Sequence, residues 1–332
     1  MKLQVSIATS ANPRTWPILD GRVKADGIDW VPSTVGPSEL FWRQLRFGDF
    51  DVSEMSMSSL MMVLAKGNRD WIGLPIFTTR RFFHTWILVR RESHIERPQD
   101  MRGKRVGVPE YQQTAALWAR GVLQHEFGVD QREMEFWMER LPSHSHAGAV
   151  DFTPPPGVTI KQIPPEKNIG DMMLAGELDA TLLYIRARPD DLIDRSHVDL
   201  ANHPAIVPLF RDTLAEGVRY LRKTGIFPIN HGMVIRRSLA EKHPWAALNI
   251  YKAFEEAAEI AEHERAIHTE YHVLTGALPP EAEGALRKPA IRHGVVANKK
   301  TLETAAQMSH EQGLTPRQLK LEEIFAATLM EQ

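Results

Sequence analysis

The chain contains no cysteine. That excludes disulfides, thiolate metal sites and cysteine nucleophiles, and it suits a reducing compartment. No apolar run approaches the ~18 residues of a membrane-spanning helix. The opening residues, Met1-Lys2-Leu3-Gln4-Val5-Ser6-Ile7-Ala8, enter an alternating strand pattern directly. They lack the charged lead and longer apolar core of a secretory leader. A cytoplasmic protein is the expectation, with a mature secreted form stripped of its leader as the alternative. An excess of either charge is also missing: 40 Lys and Arg face 42 Asp and Glu, a net charge of −2. Neither nucleic acid nor an anionic membrane is favoured as a partner. Internal repeats and low-complexity tracts are absent too.

What is present reads as a soluble globular protein, with 43% hydrophobic and 25% charged residues. At 332 residues the chain is too long for one comfortable core, so two domains are expected. Residues 3–9 and Ile28-Asp29-Trp30-Val31 read as strands, and 37–47 as a helix with Leu40, Phe41, Gln44 and Leu45 at helical spacing. Phe50-Asp51-Val52-Ser53-Glu54-Met55-Ser56 is a short strand running into serines and an apolar helix that ends before Gly67. Leu74–Phe77 and Arg105–Val108 are further strands. The latter leads through Pro109-Glu110-Tyr111-Gln112-Gln113-Thr114 to a helix over 115–126 that Gly128 closes. Residues 141–168 are loop-like around a strand at 158–163. A helix at 169–175, strands within 176–184 and 205–210, and a helix at 212–221 follow. After residue 231 the pattern is mainly helical, with helices at 244–263, 302–312 and 319–330.

Two histidine-bearing runs stand out, about 150 residues apart, roughly one domain. Arg80-Arg81-Phe82-Phe83-His84 precedes Thr85-Trp86-Ile87-Leu88-Val89. Phe227-Pro228-Ile229-Asn230-His231 precedes Gly232-Met233-Val234-Ile235. If both are strands crossing between two lobes, His84 and His231 meet in one cleft, where ligands of such folds bind. The expected architecture is therefore α/β with two lobes, two crossing hinge strands and C-terminal helices. Residues 1–90 and 231–332 form a discontinuous first lobe and 91–230 the second.

Together with Arg102–Pro109 and Gly176-Glu177-Leu178-Asp179-Ala180, these segments make the whole chain resemble the type II periplasmic-binding-protein fold. More narrowly, Gly107-Val108-Pro109-Glu110-Tyr111, Arg80–His84 and Pro228-Ile229-Asn230-His231 make it similar to the 4,5-dihydroxyphthalate decarboxylase family. The loop Pro142-Ser143-His144-Ser145-His146 and the triplet Pro154-Pro155-Pro156 depart from that family's pattern. The resemblance implies a cytoplasmic, cofactor-independent carboxy-lyase acting on a small aromatic carboxylate, most simply 4,5-dihydroxyphthalate to protocatechuate. A solute-binding protein for an aromatic or sulfonated anion is the alternative, and a biosynthetic enzyme on the same fold a third. A homo-oligomer is compatible with the sequence.

Such a decarboxylation needs an acid near a ring carbon, a base near a ring hydroxyl and cations for carboxylates. His84 and His231 are the expected acid and base, because histidine titrates near working pH. Arg80, Arg81 and Arg14 are expected to hold carboxylates, with Arg186 from the second lobe. Ser56, Ser58, Gln112 and Thr114 lie where helix N-termini should face the cleft, and Glu110 and Tyr111 are candidates for the ring hydroxyls. The bland readings are hinge histidines, a solvated arginine turn, serine caps and, for Trp86 and Phe82, hinge packing. No metal is expected. His144 with His146, or His84 with His231, would be the ligand pair if one were bound.

Overall fold

A computed structural model describes residues 2–188, 191–279 and 291–332. Eleven strands are assigned among them: β1 (Leu3–Thr9), β2 (Ile28–Thr34), β3 (Val52–Ser56), β4 (Trp71–Arg80), β5 (Leu88–Arg90), β6 (Arg105–Val108), β7 (Glu135–Met138), β8 (Thr159–Gln162), β9 (Ala180–Thr181), β10 (Ile206–Pro208) and β11 (Ile229–Arg236). They form two sheets, one in the order β2-β1-β3-β11-β4 and the other β10-β5-β9-β6-β7-β8. Parallel pairs form the β2-β1-β3 side of the first sheet and the β9-β6-β7-β8 side of the second. β11 inserts antiparallel between β3 and β4, and β5 antiparallel between β9 and β10. This is the two-lobed α/β architecture expected.

The crossings differ from the expectation. The run after His84 is not a strand at its start: Phe83–Trp86 is a 3-10 turn, and only Leu88–Arg90 extends. The turn closes because both the amide and the hydroxyl of Thr85 donate to the Phe82 carbonyl, at 3.0 and 2.8 Å. β11 does not cross either, since it lies wholly inside the first sheet. The chain changes sheets over residues 81–87 and again just before Ile229, and the Arg81 amide donates to the Pro228 carbonyl, tying the two crossings together. β5, which falls on the first-lobe side of a boundary at residue 90, pairs with β9 and β10 in the second sheet.

Several helices have the expected bounds and causes. Pro37–Phe47 begins with proline and ends at Gly48; Thr114–Phe127 ends at Gly128, whose φ of 67° suits a residue without Cβ. The helix expected over 319–330 shrinks to Leu321–Ile324 and a 3-10 turn. Its middle instead lies against β4, where the Ala326 amide donates to the Gly73 carbonyl at 2.9 Å. A Cβ on Gly73 would stand 2.6 Å from the Ile324 carbonyl oxygen. Gly73→Ala is therefore expected to destabilise the fold by about 1–3 kcal/mol, read as a lower urea midpoint.

The hydrophobic core ignores the lobe boundary. One continuous cluster joins Met55, Leu60 and Phe77 of the first lobe to Val106, Trp118 and Phe136 of the second, with Leu302 and Met308 of the Lys299–Glu311 helix. The indole of Trp118 donates to the Ile229 carbonyl at 2.8 Å, across the same boundary. The lobes are packed together rather than merely linked.

Candidate functional site

Between the lobes lies a cavity of about 640 Å³, within the range of small-molecule sites. β3 supplies its first chemical element. All five residues of that strand are buried, and one of them is Glu54. A carboxylate in such a place must be fully bonded to remain charged. Glu54 accepts from the Ser10 amide and hydroxyl at 2.7 and 2.6 Å, from Thr78 Oγ1 at 2.7 Å and from His231 Nδ1 at 2.7 Å. Burial pushes its pKa up, but the bonds from His231 and Ser10 outweigh burial and leave it below the usual carboxylate range.

β11 sits beside β3, and His231 is opposite Ser56 in the register. That register turns the ring toward Glu54 while its other edge reaches the cavity. Nε2 lies 2.8 Å from the side-chain amide of Asn230. With Nδ1–H donated to Glu54, Nε2 accepts from the Asn230 side-chain amide. This is a buried carboxylate orienting a histidine on the cavity wall, an arrangement suited to proton transfer. Phe41 packs edge-on against the His231 ring, 4.7 Å between centroids, and edge-on against His146 at 5.9 Å.

Six arginines line the cavity, Arg14, Arg80, Arg81, Arg140, Arg186 and Arg188, and no aspartate or glutamate does among the described residues. Their engagement differs. Arg14 donates Nε and Nη2 to the Thr78 carbonyl at 3.0 and 2.7 Å, leaving Nη1 uncommitted among the described residues. Burial lowers its pKa, opposed by the charges of Glu54 and Glu262, and the neighbouring Arg81 adds a smaller push downward. Arg81 stacks on Trp86, 4.4 Å from the ring centroid, and Trp86 is 44% exposed. Arg80 is drawn away toward the Phe227 and Arg292 carbonyls and Asn298, and burial lowers its pKa to about 10. Arg186 pairs with Asp199 at 3.3 Å. Arg140 is buried against Asp194 at 2.9 Å. Arg14 and Arg81 lie close together on a wall that carries no aspartate or glutamate among the described residues, a ready site for an anion.

Of the residues singled out in the sequence, Arg14, Ser56, Arg80, Arg81, Thr114, Arg186 and His231 line the cavity. Ser56 and Thr114 stand at the starts of helices from opposite lobes and share a hydrogen bond of 2.8 Å. The others lie elsewhere. His84 is 0% exposed, with Nε2 3.1 Å from Glu216 and its ring among Phe82, Phe210 and Tyr220; its neighbour Phe83 reaches the cavity instead. The two histidines therefore do not meet. Ser58 is buried with its amide on Thr114 Oγ1 at 2.9 Å. Glu110 is buried, accepting from the His146 amide at 2.7 Å and from Gln112 at 2.6 Å. Tyr111 is buried beneath the Arg120 guanidinium, 3.7 Å from its ring centroid, and Gln113 rather than Gln112 lines the cavity.

The second cavity histidine is His146, in the loop that departs from the family pattern. Its Nε2 donates to the Ser38 carbonyl at 2.9 Å and its Nδ1 lies 3.4 Å from Glu110. Burial lowers its pKa despite Glu110. His144 turns to Ser143 and Trp42, so the two histidines of that loop do not converge. Among the described residues no three His, Asp or Glu side chains are grouped to hold a metal ion.

The sequence profile of a family described as ABC transporter, phosphonate, periplasmic substrate-binding protein matches residues 34–151. Among solved structures, the alkanesulfonate-binding protein SsuA from Xanthomonas axonopodis pv. citri bound to MOPS aligns over 95% of both chains, with TM-score 0.53 and 17% identity. The desulfurization enzyme DSZB aligns over 98% of both, with TM-score 0.50 and 15% identity. These likenesses establish the periplasmic-binding-protein type of fold. The 4,5-dihydroxyphthalate decarboxylase of Comamonas testosteroni is 31% identical over 99% of this chain and 98% of its own length. The chain belongs to the 4,5-dihydroxyphthalate decarboxylase family. A second member, from Pseudomonas putida, is 34% identical over 181 residues, 54% of this chain and 70% of the relative. In this member of the family, a binding-protein scaffold carries a cleft whose wall holds six arginines and a histidine bonded to a buried glutamate.

Proposed function

We propose that the protein decarboxylates 4,5-dihydroxyphthalate to protocatechuate without redox chemistry or an organic cofactor, in the cytoplasm. The observation that carries this reading is the pairing of a cavity lined by six arginines, and by no aspartate or glutamate among the described residues, with His231 in its wall and Glu54 behind that ring. Loss of CO₂ directly from the ring would leave an aryl carbanion. The alternative begins with the hydroxyl para to the departing carboxylate. As its proton leaves to solvent, electron density reaches the carbon bearing that carboxylate. His231 delivers a proton there, giving a cyclohexadienone with one tetrahedral carbon. The C–C bond then breaks, its electron pair restores the aromatic phenolate, and solvent returns the phenolic proton. The net change is one proton consumed and one CO₂ released.

The residues act by charge and position. Arg14 and Arg81 from the first lobe, with Arg188 and Arg186 from the second, face the two carboxylates. The positive field favours the phenolate and the carboxylates together. Glu54 fixes the His231 ring and offsets the imidazolium charge. Trp86 offers its face to the aromatic ring.

The test is direct. Purified protein mixed with 4,5-dihydroxyphthalate is expected to release CO₂ and protocatechuate at equal rates, and in D₂O to place one deuterium at the vacated ring position. Activity is expected to persist after exhaustive chelation. Tight binding with no turnover would overturn the enzymatic reading in favour of a solute-binding protein, which the phosphonate-binding profile also fits.

A further inference from the structure

The helix Pro37–Phe47 of the first lobe points its first turn at the second lobe. There Ser38 enters a buried ring of polar groups. Its hydroxyl donates to Asp194 Oδ2 at 2.6 Å and accepts from Arg140 Nη2. Arg140 also donates Nε to Asp194 Oδ1 at 2.9 Å. The Ser38 carbonyl accepts from His146 Nε2 at 2.9 Å. Glu110 closes the ring behind, 3.4 Å from His146 and 3.9 Å from Arg140. Arg140, Asp194, Glu110 and His146 all come from the second lobe and are buried; Ser38 is the first lobe's contribution.

Buried charged groups that lose a partner bear the full cost of desolvation. When Ser38 is withdrawn, Arg140 loses one acceptor, Asp194 one donor and His146 the carbonyl that fixes its ring. Both Arg140 and His146 line the cavity. We propose that Ser38 is a positioning residue, a bolt between the lobes whose hydroxyl and carbonyl set Arg140 and His146 on the cavity wall. Its consequence for turnover rests on the decarboxylase reading, but the bolt itself does not.

Hydrogen exchange on the ligand-free full chain separates the two. In Ser38→Ala, amides of the 36–43 and 141–151 segments are expected to exchange about tenfold faster than in wild type, with peptides of β1 and β6 unchanged. Ser38→Thr, which keeps a hydroxyl, is expected to restore slow exchange. Unchanged exchange in Ser38→Ala, or equal acceleration in Ser38→Thr, overturns the bolt whether or not the wild type decarboxylates anything. Where turnover is measured, KM for 4,5-dihydroxyphthalate is expected to rise about tenfold in Ser38→Ala, with kcat falling less; a lower kcat at unchanged KM contradicts positioning through the binding wall.

Discussion

His231→Ala is expected to lower kcat for 4,5-dihydroxyphthalate by about 10²–10⁴-fold, the usual worth of a positioned proton-transfer group. Affinity for phthalate, which presents two carboxylates but no hydroxyl to activate, should change only a few-fold. The reason lies in the geometry. His231 reaches the cavity through one ring edge, while the anion-binding donors are separate arginines. Glu54 keeps three bonds, from Ser10 and Thr78, when the ring is removed, so the fold should persist; a circular dichroism melt checks it. Glu54→Gln leaves the ring in place but removes the charge that supports its protonated form, and a smaller loss of kcat is expected. His84→Gln supplies the contrast. That ring packs beneath the hinge against Glu216 and away from the cavity, so stability should fall while kcat stays within a few-fold. Near-normal turnover in His231→Ala would remove the mechanism.

Acid is expected to destabilise the protein well before its carboxylates titrate. His293 is 6% exposed, and its Nδ1 accepts from the Phe77 amide at 3.1 Å. Burial, then the charges of Arg80 and Arg14, push its pKa down to about 3 from 6.5, while the Phe254 backbone pulls weakly the other way. The folded state thus binds fewer protons than the unfolded chain between those values. Stability from this group is complete above pH 6.5 and is lost as pH falls toward 3. Each tenfold difference in proton affinity between the folded and unfolded chain is worth about 1.4 kcal/mol, so the loss is on the order of 5 kcal/mol. His146, also lowered by burial, acts in the same direction. Glu216, held down to about 2, adds its own loss only below about pH 4.5. Urea unfolding at pH 7.0, 5.5 and 4.5 should show the decline, and His293→Asn should flatten it. A stability independent of pH across that range would contradict the buried neutral ring.

The periodicity of the helices and the burial of the parallel strands were plain in the sequence, because apolar spacing and caps are local signals. Thr114–Phe127 and Pro37–Phe47 needed nothing else. The site depended on parity and on distant contacts. At His84 a single 3-10 turn rotated the chain, so that Phe83 faces the cavity and the histidine the core. The same one-residue shift put Gln113, not Gln112, on the wall. Glu54 was within a recognised strand motif, and its one signal was a carboxylate among residues otherwise fit for burial. His146 and Arg140 owe their places to Ser38 and Asp194, one from the other lobe and one more than forty residues on, which no local pattern reveals. Histidines crowded into a Pro/Ser loop were the only trace.

A wall lined by guanidiniums has a further consequence. Such a cavity is expected to hold chloride, phosphate or sulfate from the solution. A dianionic ligand would enter by displacing those ions, so its apparent affinity is expected to depend on the buffer as much as on the protein. In the proposed reaction the product carries one carboxylate where the substrate carried two, and it would yield its place to the next dianion for the same reason. The proton taken up at the ring carbon, which cancels one negative charge as neutral CO₂ departs, would loosen the grip on the molecule that remains.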